Sequence, residues 1–366
     1  MSKIVKHSLQ KKIVALAALA LVSGAALAQS NVTIYGAIDL GLLVQNNTGP
    51  AVSSPQLYNG GISPSIWGFR GSEDLGGGLK ANFNLESHFS ADTGAGTTTF
   101  FRRQSNVGFS SASMGTLTLG NQYGPAVLAF AATDPRGLRE NFSGLYSWAY
   151  NSGALIPSLP APGTNNGNND VGVFLQNAIS YNNTLGPVGL GVAYSVSEDK
   201  GAVVSLGATY AGPVSLSAAY QTTNLPKTSD QQSALYTVGA GYTMGAFTGK
   251  LNYLRGTNKD SSQVETSNVE VVGLGLDWKL APNNTVILAA YFGKDKNDDT
   301  NKTTSYILSD EYALSKRTTL YATAAFVSAD KMAKGGSSNL LTSVVAGGTG
   351  SDNNASLFNF GVKHSF

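Results

Sequence analysis

Two-residue alternation of side-chain character runs through most of this 366-residue chain. Between residues 79 and 89, Leu79, Phe83 and Leu85 share one parity, whereas Lys80 and Glu86 share the other. Successive side chains of a β-strand point to opposite faces, so the alternation predicts strands whose two faces meet different surroundings. The alternating runs span about 9–14 residues, longer than the strands of most soluble sheets and long enough to cross a bilayer at a tilt.

Sixteen segments of this kind can be counted, and an even number is what single-chain bacterial barrels contain. We therefore predict an all-β fold, a transmembrane 16-stranded antiparallel β-barrel. The predicted strands lie near residues 32–45, 62–71, 79–89, 99–110, 115–123, 174–183, 187–196, 202–211, 213–222, 233–243, 246–255, 267–280, 284–293, 303–314, 317–328 and 355–366.

The connections between these segments alternate in length. Short ones carry turn residues, and outer-membrane barrels have short periplasmic turns and longer outer loops. The short connections are Ser72–Gly78, Ser111–Gly115, Asn183–Pro187, Ala211–Pro213, Thr243–Gly245, Ala281–Asn283 and Ser315–Lys316. The longer, polar ones include Asn46–Gly61, Thr223–Gln232, Gly256–Thr266, Lys294–Lys302 and Ala329–Asn354.

Composition narrows the function classes. Charged residues make up 13% of the chain, with 24 Lys and Arg against 22 Asp and Glu. This near balance argues against a nucleic-acid partner, because such proteins are usually basic. The chain has no cysteine, which excludes disulfide scaffolds, thiol catalysis and cysteine-based zinc sites.

The first 28 residues have the layout of a secretory signal peptide, with lysines before an apolar run at 13–22 and a closing Ala26–Ala28. We expect an exported barrel formed by residues 29–366. Removal of this segment leaves 20 cationic and 22 acidic residues, a formal net charge of −2. The lysines removed with it are Lys3, Lys6, Lys11 and Lys12.

If the apolar strand face meets lipid, the polar face lines a lumen. The predicted pore-lining residues on the strands are Asp39, Arg70, Lys80, Glu86, Arg102 and Phe174. The same parity assigns Arg103 to the outer face, near the rim.

Sixteen strands enclose a wide channel, so something must narrow it. The connection from residue 124 to about 170 is far longer than ordinary loops and rich in aromatic residues, and we expect it to fold inward. Asp134, Arg136, Arg139 and Glu140 would bring both signs of charge to the constriction, where facing charges set an ion preference. The alternative for this loop is a surface lid with internal salt bridges.

Two other classes of function were weighed. A barrel hydrolase needs a histidine that activates a serine or water, and after residue 28 only His88 and His364 remain. Residues 295–306 and 245–251 fail as calcium and phosphate loops, so no metal, cofactor or enzyme activity is expected. A substrate-specific channel would use an aromatic path, but Tyr35, Tyr291 and Tyr321 with Phe174 are scattered on the predicted lumenal face.

Several motifs together resemble the general porins of Gram-negative bacteria, specifically the β-proteobacterial porin family. The carrying segments are Val32–Gly36 (VTIYG), Trp67–Lys80 (WGFRGSEDLGGGLK), Gly115–Gly120 (GTLTLG), Leu314–Thr318 (LSKRT) and Gly361–Phe366 (GVKHSF). The turn from Glu73 to Lys80 is the most specific of them.

The resemblance implies a homotrimer in the outer membrane, an inward-folded third loop and passive diffusion of small hydrophilic solutes and ions. It also implies contact with outer-membrane lipid and lipopolysaccharide, and a terminal Phe366 read by the outer-membrane assembly machinery. Family members often carry wall arginines at positions that fall here on Ile66, Arg102 and Phe174, and only Arg102 is an arginine. Weak selectivity with a slight preference for anions is the resulting expectation.

Overall fold

The computed structural model describes residues 31–46, 55–139, 143, 172–196, 201–224, 230–259, 262–329 and 354–366. The predicted signal peptide, Glu140 and most of the predicted constriction loop after it lie outside the described residues. In the part of the chain that is described, no helix has the length and apolar character needed to cross a membrane.

Seventeen strand segments and one short helix, α1 (Pro125–Ala131), are described. The strands are β1 (Asn31–Gln45), β2 (Gln56–Asn59), β3 (Ile66–Gly76), β4 (Leu79–His88), β5 (Gln104–Ser111), β6 (Gly115–Tyr123), β7 (Phe174–Leu185), β8 (Val188–Ser195), β9 (Val203–Ala211), β10 (Val214–Asn224), β11 (Gln231–Met244), β12 (Phe247–Lys259), β13 (Glu265–Ala281), β14 (Asn284–Asp295), β15 (Asp298–Ala313), β16 (Thr318–Ala329) and β17 (Asn354–Ser365).

These strands form one closed antiparallel sheet. Apart from β2 and β3, which do not pair with each other, each strand pairs with its neighbours in the chain, and β1 pairs with β17, so the sheet closes into a barrel. Both β2 and β3 pair with the same edge of β1, and together they form one barrel strand that residues 60–65 interrupt. The predicted 16-stranded barrel is confirmed, with its second strand in two pieces.

The predicted short connections all lie at the end of the barrel that holds the chain termini, whereas the two-residue turn between β14 and β15 lies at the opposite end. Two residues link the strands in the hairpins after β3, β7, β9, β11 and β13. Gly77, Gly186 and Gly245 adopt φ near +60° in these turns, a conformation that glycine reaches without steric cost. The predicted alternation of short and long connections is therefore present, except between β14 and β15.

Several segments differ from the sequence prediction; the predicted turn Ser72–Gly78, for example, is strand up to Gly76. Residues 99–103 are not part of a strand, because β5 begins only at Gln104. The predicted polar loop Lys294–Lys302 is mostly strand, and Lys294 pairs directly with Lys302 across the β14–β15 hairpin. Polar composition does not prevent backbone pairing, and here the Asp295 carboxylate also accepts a hydrogen bond from Asn297 N in the turn.

The outward parity is apolar along the strands, as predicted; Leu190, Val192 and Tyr194 on β8, for example, are exposed. The inward parity is not uniformly polar. Leu254 and Val269 face inward, are buried, and join a core cluster with residues of α1. The packed core of this protein therefore lies inside the barrel, where a loop meets the wall.

Candidate functional site

The site is the segment 124–139 on the inner wall of the barrel. Its first part, α1, follows directly on β6 and starts with Pro125, whose missing N–H needs no partner at a helix N-terminus. Ala126, Val127 and Phe130 of α1 are buried. The Ala126 N–H donates to Ser205 Oγ on the inward face of β9 at 3.1 Å. The expectation that this loop folds inward is confirmed for its described part.

Inward-facing glycines let the segment lie directly against the sheet. A Cβ at Gly207 on β9 would clash with the carbonyl oxygen of Pro125, and one at Gly239 on β11 would clash with Thr133. On β13, a Cβ at Gly275 would lie 2.8 Å from Pro135 Cα. Close backbone approach is a reason for glycine inside a strand, and here three strands use it to seat one loop.

Hydrogen bonds fix the middle of the segment between these glycines. Thr133 Oγ1 lies 2.6 Å from Ser217 Oγ on β10 and accepts a hydrogen bond of 2.8 Å from Asn252 Nδ2 on β12. The fully buried Asp134 accepts from Tyr291 Oη of β14 at 2.9 Å and from Leu138 N at 2.8 Å. Burial raises the pKa of the Asp134 carboxyl, and the two hydrogen bonds act in the opposite direction.

Two arginines fasten the end of the described segment to β15. Arg136 is buried and donates from Nη1 to Ser309 Oγ at 2.6 Å. Burial lowers the pKa of Arg136 to about 10, so it remains charged at neutral pH. Arg139 forms a two-pronged ion pair with Glu311, with Nε–Oε1 and Nη2–Oε2 distances of 2.5 and 2.7 Å. Such paired geometry is the strong form of an arginine–carboxylate contact.

The segment thus makes contacts with seven consecutive strands, from β9 to β15. The segment is attached along one side of the barrel, because each of these strands provides a contact to it, through a glycine, a hydroxyl, an amide or a carboxylate. Glu311 was missed by the sequence analysis, although its inward parity on β15 could have indicated it. The seating glycines were also missed, since glycine has no face preference that alternation can reveal.

On the opposite wall, Glu86 and Arg103 form a buried ion pair. Arg103 Nε lies 2.7 Å from Glu86 Oε1, and its guanidinium also contacts the Tyr123 hydroxyl. The same group lies 5.0 Å from the ring centroid of the buried Phe174. The prediction that Arg103 faces outward is wrong, because residue 103 precedes β5 and strand parity does not extend to it.

Three other predicted pore residues remain accessible on this side. Arg102 is half-buried and contacts His88 Nε2 at 3.0 Å through Nη1. Arg70 is exposed, with its guanidinium carbon 5.0 Å from the ring centroid of Tyr35. Lys80 is exposed at the end of the barrel that holds the short turns.

Asp39 is buried, and its carboxylate stabilises the local fold. Its carboxylate accepts hydrogen bonds from the backbone of residues 61–63 at 2.8–3.3 Å and from Tyr321 Oη at 2.7 Å. These bonds hold the interruption between β2 and β3 against β1. In this structure Asp39, Glu86, Asp134, Arg136 and Phe174 are all at most 5% exposed, which differs from the expectation that they line the water path.

The architecture defines a class of protein: a closed transmembrane barrel with an apolar outer face and a loop fixed inside it is a channel of the outer-membrane type. The family model described as Gram-negative porin matches residues 15–332. The chain belongs to this family, and it is an outer-membrane porin, a passive channel rather than an enzyme.

Similar proteins agree with this assignment. Outer membrane porin protein 32 of Delftia acidovorans is 29% identical over 384 aligned positions, which cover 98% of this chain and 100% of that protein. The structure of an anion-selective porin from Comamonas acidovorans superposes with a TM-score of 0.77 at 23% identity, covering 92% of this chain and 100% of the other. OmpT of Vibrio cholerae in its trimer form gives a TM-score of 0.67 at 14% identity, covering 92% and 99%.

Proposed function

We propose that the diffusion path runs between two different walls. The segment 124–139 narrows the lumen from the side of β9–β15, and the accessible arginines of the opposite wall, Arg70 and Arg102, face the passing solutes. The observation that carries this proposal is the attachment of the segment to seven consecutive strands. A loop held in this way narrows the channel permanently, so small hydrophilic solutes and ions pass by size and charge.

The charges that remain accessible favour anions weakly. Arg70 and Arg102 are cationic and reachable, whereas the carboxylates of Asp39 and Glu86 are buried against hydrogen-bond donors or a cation. Charged groups at a constriction raise the local concentration of the opposite ion. The similar Comamonas acidovorans structure is described as anion-selective, which supports the same sign here.

The proposal also covers the partners expected of this chain. The channel works as a homotrimer embedded in outer-membrane lipid and lipopolysaccharide, and support comes from the similar OmpT structure in its trimer form. Phe366 is 45% exposed, and its backbone pairs with Gly36, so its ring is available as an assembly signal. Residues 1–28 act as the signal peptide. Changing Phe366→Ala should lower the amount of folded porin in the outer membrane.

A planar-bilayer recording across a KCl gradient tests the proposed path. We expect ohmic conductance steps in groups of three and a small reversal potential of anion-selective sign. A cation-selective potential would overturn the roles of Arg70 and Arg102. Saturation of the current by one sugar would favour a substrate-specific channel instead.

A further inference from the structure

A pocket lies inside the barrel beneath α1, on the side that faces the short turns. It has a volume of about 450 Å³, within the usual range for small-molecule sites. Strands β6–β9 form its wall, α1 forms its roof, and Ser111 and Gly115 at the β5–β6 connection lie at its edge. The pocket therefore lies beside the diffusion path, at the end of the lumen that holds the chain termini.

Two cross-strand rows of residues build the wall of this pocket. The first row consists of Thr116, Asn182, Gly191 and Gly207, and the second row, nearer the short turns, consists of Thr184, Gly189 and Thr209. On β8, both wall glycines alternate with the exposed Leu190, so the rows point inward. Because Gly189 has no side chain, the two threonines of its row stand on either side of a gap two strand spacings wide, about 9.6 Å.

Contact with α1 explains two of the three wall glycines but not Gly189. A Cβ at Gly207 would clash with the Pro125 carbonyl, and one at Gly191 would lie 2.8 Å from Pro125 Cβ. A Cβ at Gly189 would have only atoms of Thr209 as described neighbours within 4 Å. Gly189 is thus not required to seat the segment 124–139, and its missing side chain leaves space for a ligand.

The roof of the pocket is apolar and accessible. Leu128 of α1 is 49% exposed inside the barrel, whereas Val127 and Phe130 of the same helix are buried in the core cluster. Pro125 and Ala129 also line the pocket. Because exposure of apolar surface to water is unfavourable, the roof favours contact with an apolar part of a ligand.

The wall of the pocket offers neutral polar groups. In the part of the chain that the structure describes, the hydroxyls of Thr116, Thr184 and Thr209 form no hydrogen bond, and Asn182 uses only Nδ2, toward Ser180 Oγ at 3.4 Å. The described lining residues carry no charge. Hydroxyls and carboxamides both donate and accept, so they match the alcohol groups of a ligand. An ion would exchange its water for neutral groups only, which is unfavourable.

We propose that this pocket binds an uncharged sugar, with the C–H face of a pyranose ring against Leu128 and Pro125. The sugar hydroxyls then bond to the wall threonines and to Asn182. An apolar surface with a few polar groups that fix orientation is the usual composition of a small-molecule site. The inference goes beyond the proposed function, because diffusion by size and charge needs no binding site.

The test measures binding of glucose and maltose to the mature protein, folded in detergent, by saturation-transfer NMR. Gly189→Val fills the gap between Thr184 and Thr209 and should abolish measurable binding of both sugars. Gly241→Val is the matched control on β11, since its Cβ would lie 2.5 Å from the Ser215 hydroxyl, as that of Gly189 would lie 2.6 Å from the Thr209 hydroxyl. The control should bind both sugars as the parent does.

Two further variants remove polar groups and keep the side-chain size. Thr209→Val and Asn182→Leu should each weaken sugar binding by about threefold or more, as expected for the loss of a hydrogen bond. Thr243→Val, which removes an inward hydroxyl at the same end of the barrel outside the pocket, should leave binding unchanged. These variants replace Gly189→Val if that variant does not fold.

Glucuronate, which has the same ring with a negative charge, tests the class of ligand. We expect it to bind the pocket more weakly than glucose. Stronger binding of glucuronate that Gly189→Val removes would make the pocket an anion site and overturn the proposal. Absence of binding of both sugars to the parent, or equal binding by the parent and Gly189→Val, would also overturn it.

Channel recordings separate this inference from the proposed function. Each variant should have the parent conductance in KCl without sugar, which shows that it is folded, and bound glucose should leave most of the current. Complete block of the current by glucose would place the site across the path and contradict a pocket beside it. A cation-selective reversal potential would overturn the proposed function and leave the result of the sugar titration unaffected.

Discussion

Arginines lie inside the barrel against the wall formed by β9–β15 and against the wall formed by β3–β5, but their side chains have different roles at the two walls. On the first wall Arg136 is buried and Arg139 is paired with Glu311, so both hold the segment 124–139 in place. On the second wall Arg70 and Arg102 keep accessible guanidinium groups beside aromatic or histidine rings. The comparison shows that the position of a charge inside a barrel does not by itself assign it to permeation.

The largest expected effect comes from unseating the loop. Gly207→Val places side-chain atoms against the Pro125 carbonyl, and overpacking of this kind costs about 1–3 kcal/mol. We expect a lower free energy of unfolding in urea. We also expect a larger single-channel conductance, because the segment 124–139 no longer packs against the wall. Gly189→Val is the matched control, since its nearest atom is the mobile Thr209 hydroxyl. Parent-like conductance for Gly207→Val would mean that the loop does not set the channel width.

A smaller effect is expected from breaking the ion pair at the end of the segment. Arg139→Ala and Glu311→Ala should each destabilise the loop, with a coupling free energy of about 1–2 kcal/mol in a double-mutant cycle. Urea unfolding measures the coupling free energy, and the excess noise of the open-channel current measures the motion of the destabilised loop. Strict additivity of the two substitutions would show that the pair contributes nothing to anchoring. Lys80→Ala, at an exposed site, is the control for loss of a cation.

The contrast between the walls predicts that the accessible arginines affect ion selectivity without affecting stability, and that the buried residues of the anchored segment do not affect selectivity. Arg70→Gln with Arg102→Gln should move the reversal potential in a KCl gradient toward cation selectivity and leave the unfolding free energy nearly unchanged. Asp134→Asn, which removes a buried carboxyl from the segment at the anchored wall, should leave the reversal potential as it is. A shift produced by Asp134→Asn alone would remove the distinction between the two walls.

The smallest effect concerns pH. Burial raises the pKa of Asp134 in the folded state, so the folded protein holds this proton more tightly than the unfolded chain does. The contribution of the protonated Asp134 carboxyl to the free energy of unfolding is therefore complete below the ordinary aspartate pKa. It is lost as pH rises through the raised pKa of the folded state. Urea unfolding from about pH 4 to about pH 7 should show this loss, and Asp134→Asn should flatten it. An identical slope in the variant would assign the pH dependence to other groups.

Alternation alone predicted most of the fold. Parity placed Tyr291 and Tyr321 on the inner face, and both side chains are buried there. It failed at Arg103, because a residue outside a regular strand has no fixed face. It also missed the interruption between β2 and β3, which depends on Asp39 and Tyr321, far apart in the chain. Non-local hydrogen bonds of this kind leave no periodic signal.

The sequence by itself determined a closed barrel, its strand count, the end that holds the short turns, and an inward third loop. These follow from local properties, since side-chain period and turn chemistry act within a few residues. Only the tertiary structure decided which charges remain accessible. Asp134 and Arg70 both have charged side chains, yet Asp134 is buried between its own segment and Tyr291 of the wall, whereas Arg70 is exposed. Accessibility depends on what packs above a residue, and in this barrel that is a segment from another part of the chain.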